Sequence, residues 1–392
     1  MPRRSETGPD DSGRACGGSL TWRELPAIPA NASAWNDAIP VGEAWWRQIG
    51  LAGPIAGVHG DYLLVGGGAN LPEPGRTTIA ATSLGKVYWN ELFVLDLTRE
   101  VWLDTPLTMP AAVGYAATVS LPEGVLVIGG EGFADGPNGS KLAGVATFAD
   151  VFLMRFDPAR QEVAYEACPP LPAASSSGAA ALLGRTVYYQ TGKDFLALDV
   201  DNLAAGWQAL PAWPGAPRDT AVAAAVGGKV LIATGRTQVD GVWRIHRDAF
   251  AFDPATGTWE TLPDMPFPAM AGAGFGVGNR LVIVGGDKDV ARWDLVTGFA
   301  SRRAGLEAGT PEWEKLGAAL QMIADHHVGF NTEILAYDIE DGAWSVIGRF
   351  PGPAPVTTQP VVWQGQLILP SGEVRPGVRS PKVWIGDVDV SG

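Results

Sequence analysis

An all-β propeller of six sheets is the fold class that the sequence predicts, and three observations predict it. An apolar strand ending in glycine recurs six times: Tyr62 to Gly67, Val125 to Gly130, Val187 to Gly192, Val230 to Gly235, Leu281 to Gly286 and Leu367 to Gly372. A second strand closing on an aspartate follows five of them, at Asp96, Asp157, Asp199, Asp253 and Asp338. A tryptophan and then a Leu-Pro or Met-Pro pair usually punctuate the way to the next copy, as Trp102 and Met109-Pro110 or Trp259 and Met265-Pro266 do. A four-stranded unit of this kind has two apolar faces and needs a neighbour on each. Closing the units into a ring supplies both.

Taken in order, residues 1–18 are polar and glycine-rich and read as a disordered tail. Residues 19–392 read as one propeller with no internal boundary. Leu20 to Pro26, with Trp22 and a terminal Leu-Pro, has the look of an outermost strand without the rest of its unit. The sixth copy lacks that strand: it has segments near Pro360–Trp363, Gln366–Leu369 and Lys382–Ile385, and little follows. The N-terminal strand is therefore expected to complete the last blade. Copies lie as close as 43 residues (192 to 235), which suits four short strands and resembles the kelch repeat. The glycine pair permits a tight turn where a Cβ would clash. The tryptophan fills the gap between twisted sheets, and the proline stops an outer strand. Wider spacings place insertions at Ala69–Trp89, Gly132–Phe148 and Lys288–Phe330, all leaving one end of the ring. The longest holds the helical insertion, about residues 304–329. One helix is expected over Pro311–His327, with Thr310 as cap, Pro311 in the first turn, Gly329 as stop, and Trp313, Leu316, Leu320 and Ile323 as apolar stripe.

Composition excludes several functions. The chain has 28 basic and 42 acidic residues, a net charge of −14, so no nucleic-acid partner is expected. No segment reaches the roughly 18 apolar residues that span a bilayer, so no membrane partner is expected either. No apolar run follows the early arginines, which points to a cytoplasmic protein, or a periplasmic one had a signal peptide been removed. Two cysteines, Cys16 and Cys168, cannot build a disulfide framework, and four histidines leave little for a metal centre. Oligomeric state leaves no trace in the sequence.

Candidate chemistry gathers at the mouth of the ring. The residues after each glycine pair are Gly68, Glu131, Lys193, Arg236, Asp287 and Glu373, five of them charged. Solvated loop charges would look the same; together they outline a polar funnel. The densest segment is Ser371-Gly-Glu373-Val-Arg375-Pro-Gly-Val-Arg379. A carboxylate exchanges protons, and a guanidinium grips a carboxylate through two hydrogen bonds. An internal Glu–Arg salt bridge in a stiff loop is the alternative.

This Gly-Glu-x-basic-Pro-Gly-x-Arg string, with the six copies, resembles the N-acetylneuraminate (sialic acid) mutarotase family, also called epimerases. The resemblance spans nearly all of residues 20 to 390 and includes Pro217-Arg218-Asp219. In typical members the Glu motif lies mid-chain; here it is near the C-terminus, so the chain resembles a cyclically permuted branch, which a closed ring tolerates. The resemblance implies an isomerase that interconverts anomers of a sugar acid without cofactor or metal. In it Glu373 is the catalytic base and Arg379 its partner on the substrate carboxylate. Arg375 and Arg218 are further substrate-binding candidates, and Glu131, Arg236, Asp287 and Asn70 rest on ring position alone. Two other functions fit a kelch propeller. One is a non-catalytic protein- or carbohydrate-binding module. The other, a copper radical oxidase, needs Tyr, His and Cys ligands that this chain does not group.

Overall fold

The computed structural model describes residues 21–30, 49–70, 86–133 and 145–387. The proposed tail, Cys16, and most of the first two insertions lie outside these residues. The described chain is predominantly β, in antiparallel sheets, with two α-helices, an architecture that agrees with an all-β propeller.

Six sheets each follow a simple meander. The first takes Ile55–His59, Tyr62–Gly66, Glu91–Asp96 and Val101–Trp102, with Leu107–Thr108 also on Glu91–Asp96. The second to fifth begin at Ala117–Leu121, Ala179–Leu183, Val222–Val226 and Ala273–Val277, and each runs outward through three further strands. The sixth holds Val361–Trp363, Gln366–Pro370 and Val383–Asp387, and its fourth strand is Trp22–Leu25, with Trp22 opposite Gly386 and Leu25 opposite Val383.

Strand alternation explains the packing. Each strand sends alternate side chains to opposite faces, so each sheet presents apolar residues on both. The buried residues accordingly fall into clusters shared by consecutive sheets. Leu64 and Met109 of the first meet Val125 and Met154 of the second; Ala273 and Ile334 of the fifth meet Leu367 and Leu369 of the sixth. Another cluster joins the sixth sheet to the first through Leu25, Ile368 and Val383 against Leu63, Val65 and Leu95.

Repeat residues tie these faces together. Trp102, Trp207, Trp259 and Trp344 each donate an indole N–H to a proline carbonyl in the preceding sheet's exit, at Pro26, Pro169, Pro211 and Pro263, over 2.8 to 3.0 Å. The second sheet lacks the tryptophan, and Tyr165 replaces it by donating to the Thr108 carbonyl at 2.9 Å. The strand-ending aspartates accept turn N–H groups: Asp157 Oδ1 from Ala159 and Arg160, Asp338 Oδ1 from Glu340 and Asp341.

Inside the innermost strands runs a belt of backbone hydrogen bonds. Tyr115 N donates to Gly53 O, Ser177 to Tyr115, Thr220 to Ser177, Ala271 to Thr220, Thr357 to Ala271 and Gly53 to Thr357, all over 2.7 to 3.1 Å. At five of the six belt positions the preceding residue pairs with the segment leaving a glycine pair; Ser176, before Ser177, is the exception.

The helical insertion differs from expectation. Two helices occupy it, α1 (Val290–Ala304) and α2 (Pro311–Asp325). Thr310 caps α2 by accepting from the Trp313 N–H, but the helix stops at His326 rather than Gly329. Leu316, Leu320 and Ala324 form its buried stripe, with Trp313 and Ile323 at the margins. Asp289 caps α1, its carboxylate accepting from Arg292 N. No helix among the described residues is long and apolar enough to cross a membrane.

Candidate functional site

The segments leaving the glycine pairs meet the inner strands just before the belt. Glu131 pairs with Gly114, Arg236 with Asp219, Asp287 with Met270 and Glu373 with Val356. In the first sheet the residue at this register is Ala69, opposite Ala52, and not Gly68. A run of three glycines, Gly66 to Gly68, conceals that one-residue slip in the sequence. In the third sheet Thr186–Thr191 and Asp194–Asp199 join in a tight hairpin, and Lys193 in its turn donates to Gly215 O at 2.6 Å.

Glu373 and Arg379 face each other across a small hairpin, Glu373–Arg375 against Val378–Arg379. Pro376 and Gly377 make its turn; the +80° φ of Gly377 is a conformation that suits glycine. This turn brings together two residues six apart in sequence. Gly377 N donates to Glu373 Oε1 at 2.7 Å, and Glu373 Oε2 lies 3.5 Å from Arg379 Nη2. The Arg379 side chain is 3% exposed, the Glu373 side chain 17%. Arg379 Nε and Nη1 are buried with no hydrogen-bond partner. A buried guanidinium with two unmatched donors carries a large desolvation cost, which an anionic ligand would offset.

The other candidates divide. Glu131 lies in a cluster with Lys86, Tyr88 and Ser176. Its Oε1 accepts from the Tyr88 hydroxyl and from Lys86 Nζ (3.2 Å), and its Oε2 from Ser176 Oγ (3.1 Å). Burial alone would raise the Glu131 carboxyl; the Lys86 ammonium and these hydrogen bonds outweigh it and hold the group below its ordinary value. Burial, reinforced by the Glu131 charge, pushes the Tyr88 phenol far up. Asn70 is buried and reaches Gly50 O at 3.5 Å. Arg375 is half-buried opposite Val378.

Arg218, Arg236 and Asp287 have protein partners instead. The Arg218 side chain is wholly buried, stacked on Trp213 and donating to Asp248, Ala216 O and Thr234 O, which makes it a strut between loops. Arg236 pairs with Asp219 at 2.7 Å and lies over the Trp243 ring. Asp287 binds Arg292 and accepts from Trp293 Nε1 at 2.6 Å, anchoring α1. Sequence reasoning missed these partners, and it missed Lys86, Tyr88 and Ser176. The pattern of charged residues after glycines signals none of the three.

Two hollows adjoin this architecture. A cavity of about 350 Å³ runs along the inner strands beyond the belt, lined by small residues such as Ala179, Ala223 and Gly274, with no carboxylate or cation on its walls. Along the second, fourth, fifth and sixth inner segments the bridge residue precedes the belt residue and the cavity wall follows it. The cavity and the Glu373 hairpin therefore lie on opposite sides of the belt. The second hollow, about 620 Å³, borders the end of α2 and is lined by Asp287, Arg292, His327 and Glu333. Burial and then the Arg292 charge keep the His327 imidazole below its ordinary pKa. Among the described residues no three His, Cys, Asp or Glu side chains are grouped to hold a metal ion. The Glu373 hairpin thus sets a carboxylate beside a buried guanidinium.

Comparison with known proteins adds to this geometry. Residues 168–392 match the family described as N-acetylneuraminate epimerase, a span that includes Glu373 and Arg379. An N-acetylneuraminate epimerase of Haemophilus influenzae is 27% identical over 229 residues, 57% of this chain and 60% of that protein. One of Yersinia enterocolitica is 28% identical over 233 residues, 56% of this chain and 57% of that protein. The chain thus spans about three-fifths of the length of the curated relatives it matches. The solved structure of YjhT aligns with a TM-score of 0.45 at 23% identity, over 54% of this chain and 62% of its own.

Proposed function

This chain belongs to the N-acetylneuraminate epimerase family, and from that premise we propose that it is a cofactor-independent mutarotase. It interconverts the α and β anomers of N-acetylneuraminate or a related 2-keto sugar acid, on a single six-bladed propeller. Three observations support the closed, six-bladed reading: six meandering sheets, the belt of hydrogen bonds that returns from Thr357 to Gly53, and the apolar cluster joining the sixth sheet to the first. A family match confined to residues 168–392 supports a permuted chain order, since a linear comparison follows one of two exchanged segments.

The observation that carries the function is Arg379, buried beside Glu373 with its Nε and Nη1 unmatched. In the proposed reaction Arg379 binds the C1 carboxylate of the sugar through its planar fork. Glu373 takes the proton of the anomeric hydroxyl. The electron pair of that O–H bond forms the C2 carbonyl as the C2–ring oxygen bond breaks. The ring oxygen then takes up the proton that Glu373 holds. Rotation about C2–C3 presents the other face of the carbonyl, and the reverse steps close the ring as the opposite anomer. The sequence is neither redox nor group transfer, and its protons balance on one carboxyl group. Such general acid–base help is worth about 10²–10⁴-fold in rate.

Proton NMR of freshly released N-acetylneuraminate tests this. The protein is expected to speed anomer equilibration, and Glu373→Gln to lose about 10²-fold or more of that acceleration at unchanged melting temperature. Arg379→Lys is expected to raise KM, because a point charge replaces the fork. Full activity in Glu373→Gln overturns the base assignment. No acceleration of any 2-keto sugar acid favours a binding module.

A further inference from the structure

The mouth has a second wall, built from a different sheet. The antiparallel strand pair Ala69–Asn70 and Val87–Tyr88 contacts Glu131 on one side and the segment beside the Arg379 strand on the other. On one side its Tyr88 hydroxyl donates to Glu131, and Lys86, just before it, reaches the same carboxylate oxygen. On the other side Asn70 donates to Gly50 O, and Gly50 lies so close to the Ser380 backbone that a Cβ would come within 2.4 Å of it. Ser380 is the neighbour of Arg379, and the Arg379 charge is felt at the Tyr88 phenol. Glu131 and Glu373 hold the same register in their own sheets, each opposite the residue before a belt position. The two groups therefore lie on the same side of the belt.

Their chemistry is complementary. Arg379 offers buried, unmatched donors that suit an anion. The second wall is a charge-balanced set: one ammonium, one carboxylate, one phenol. Lys86 has three N–H donors and uses one on Glu131, while its ammonium lies 4.3 Å from the centre of the Tyr115 ring. Tyr88 is itself buried, 1% exposed, and donates its proton to Glu131, so it holds that carboxylate in place. Lys86 and Glu131 side chains are each 22% exposed, open enough to be reached and sheltered enough for a hydrogen bond to count. Such a set suits neutral hydroxyl and amide groups.

We propose that Lys86 and Glu131, the latter positioned by Tyr88, form a specificity subsite that holds the hydroxyl- and amide-bearing end of the substrate while Arg379 holds its acidic end. This rests on the sugar-acid reading above, and its test separates the two. Anomer equilibration is measured with N-acetylneuraminate and with 2-keto-3-deoxygluconate, a shorter acid that lacks both the amide and the extended tail. Lys86→Met and Glu131→Gln are expected to raise KM for N-acetylneuraminate about 10-fold, with kcat within about 2-fold of wild type and the shorter acid little affected. Lys86→Arg is expected to restore most of the discrimination. Variants that treat the two acids alike overturn the subsite and leave the mutarotase reading standing. Should wild type accelerate neither acid, that reading fails, and calorimetric titration of N-acetylneuraminate decides the subsite. Weakening of about 10-fold in Lys86→Met upholds it; equal affinity, or no binding to wild type, overturns it.

Discussion

Five of the six belt positions hold residues with side chains in left-handed backbone: Tyr115, Ser177, Thr220, Ala271 and Thr357 have φ between 51° and 56° or, for Ala271, 58°. Each such residue costs about 1–2 kcal/mol relative to ordinary backbone. The belt hydrogen bonds and inner-strand packing hold them there. Ala271 has no side chain beyond Cβ to lose, so Ala271→Gly is expected to stabilise the protein by about 0.5–1 kcal/mol in urea unfolding. Gly53, the sixth position, behaves oppositely. A Cβ there would lie 2.6 Å from the Tyr115 ring and 2.7 Å from its backbone nitrogen. Gly53→Ala is expected to cost about 2 kcal/mol or more in the same measurement, because backbone must shift. Glu373 and Arg379 were legible as a pair because a Pro-Gly turn implies a hairpin. The burial of Arg379 was not, since it depends on a segment far away in sequence, Gly50 and Leu51, packing against Ser380 and Ser371.

The ties between sheets show how far a repeat pattern carries. The tryptophans announced themselves by spacing, and their indole N–H groups bind proline carbonyls one sheet away. The copy without a tryptophan gave no sign of Tyr165, which does the same work from within the strand Glu162–Cys168. Burial pushes the Tyr165 phenol up, as expected for a hydroxyl that stays protonated and donates. Tyr165→Phe is expected to lower unfolding stability by about 1 kcal/mol, leaving the Thr108 carbonyl without its partner. The helices teach a similar lesson. α2 has a cap, a proline and an apolar stripe. α1 buries only Thr297 among its fifteen residues, so its periodicity carries little signal. Its trace in the sequence is the Asp289 cap, and its stability comes from outside: Asp287 binds Arg292 and Trp293, and Arg244 pairs with Asp294 at 2.6 Å.

Across the molecule, the N-terminal strand pairs with the last one in a single sheet. Trp22–Leu25 covers the edge of Val383–Asp387, Trp22 packs edge-on to Phe350, and Pro26 accepts from Trp102. Removing residues 1–26 is expected to leave a broad, low-temperature transition in calorimetry and concentration-dependent association in gel filtration, because an unpaired strand edge templates aggregation. A full-length-like transition in that variant would mean the strand is dispensable. The strand sequence, the Gly-rich turns and the Glu373 motif were readable along the chain, because each depends on residues a few positions apart and on backbone rules that hold locally. The assignment of charges was not. Arg218 found Asp248, and Glu131 found Lys86 and Tyr88 from another sheet. A charge settles on whichever opposite group the packed sheets bring within reach, and that proximity exists only once the chain has folded.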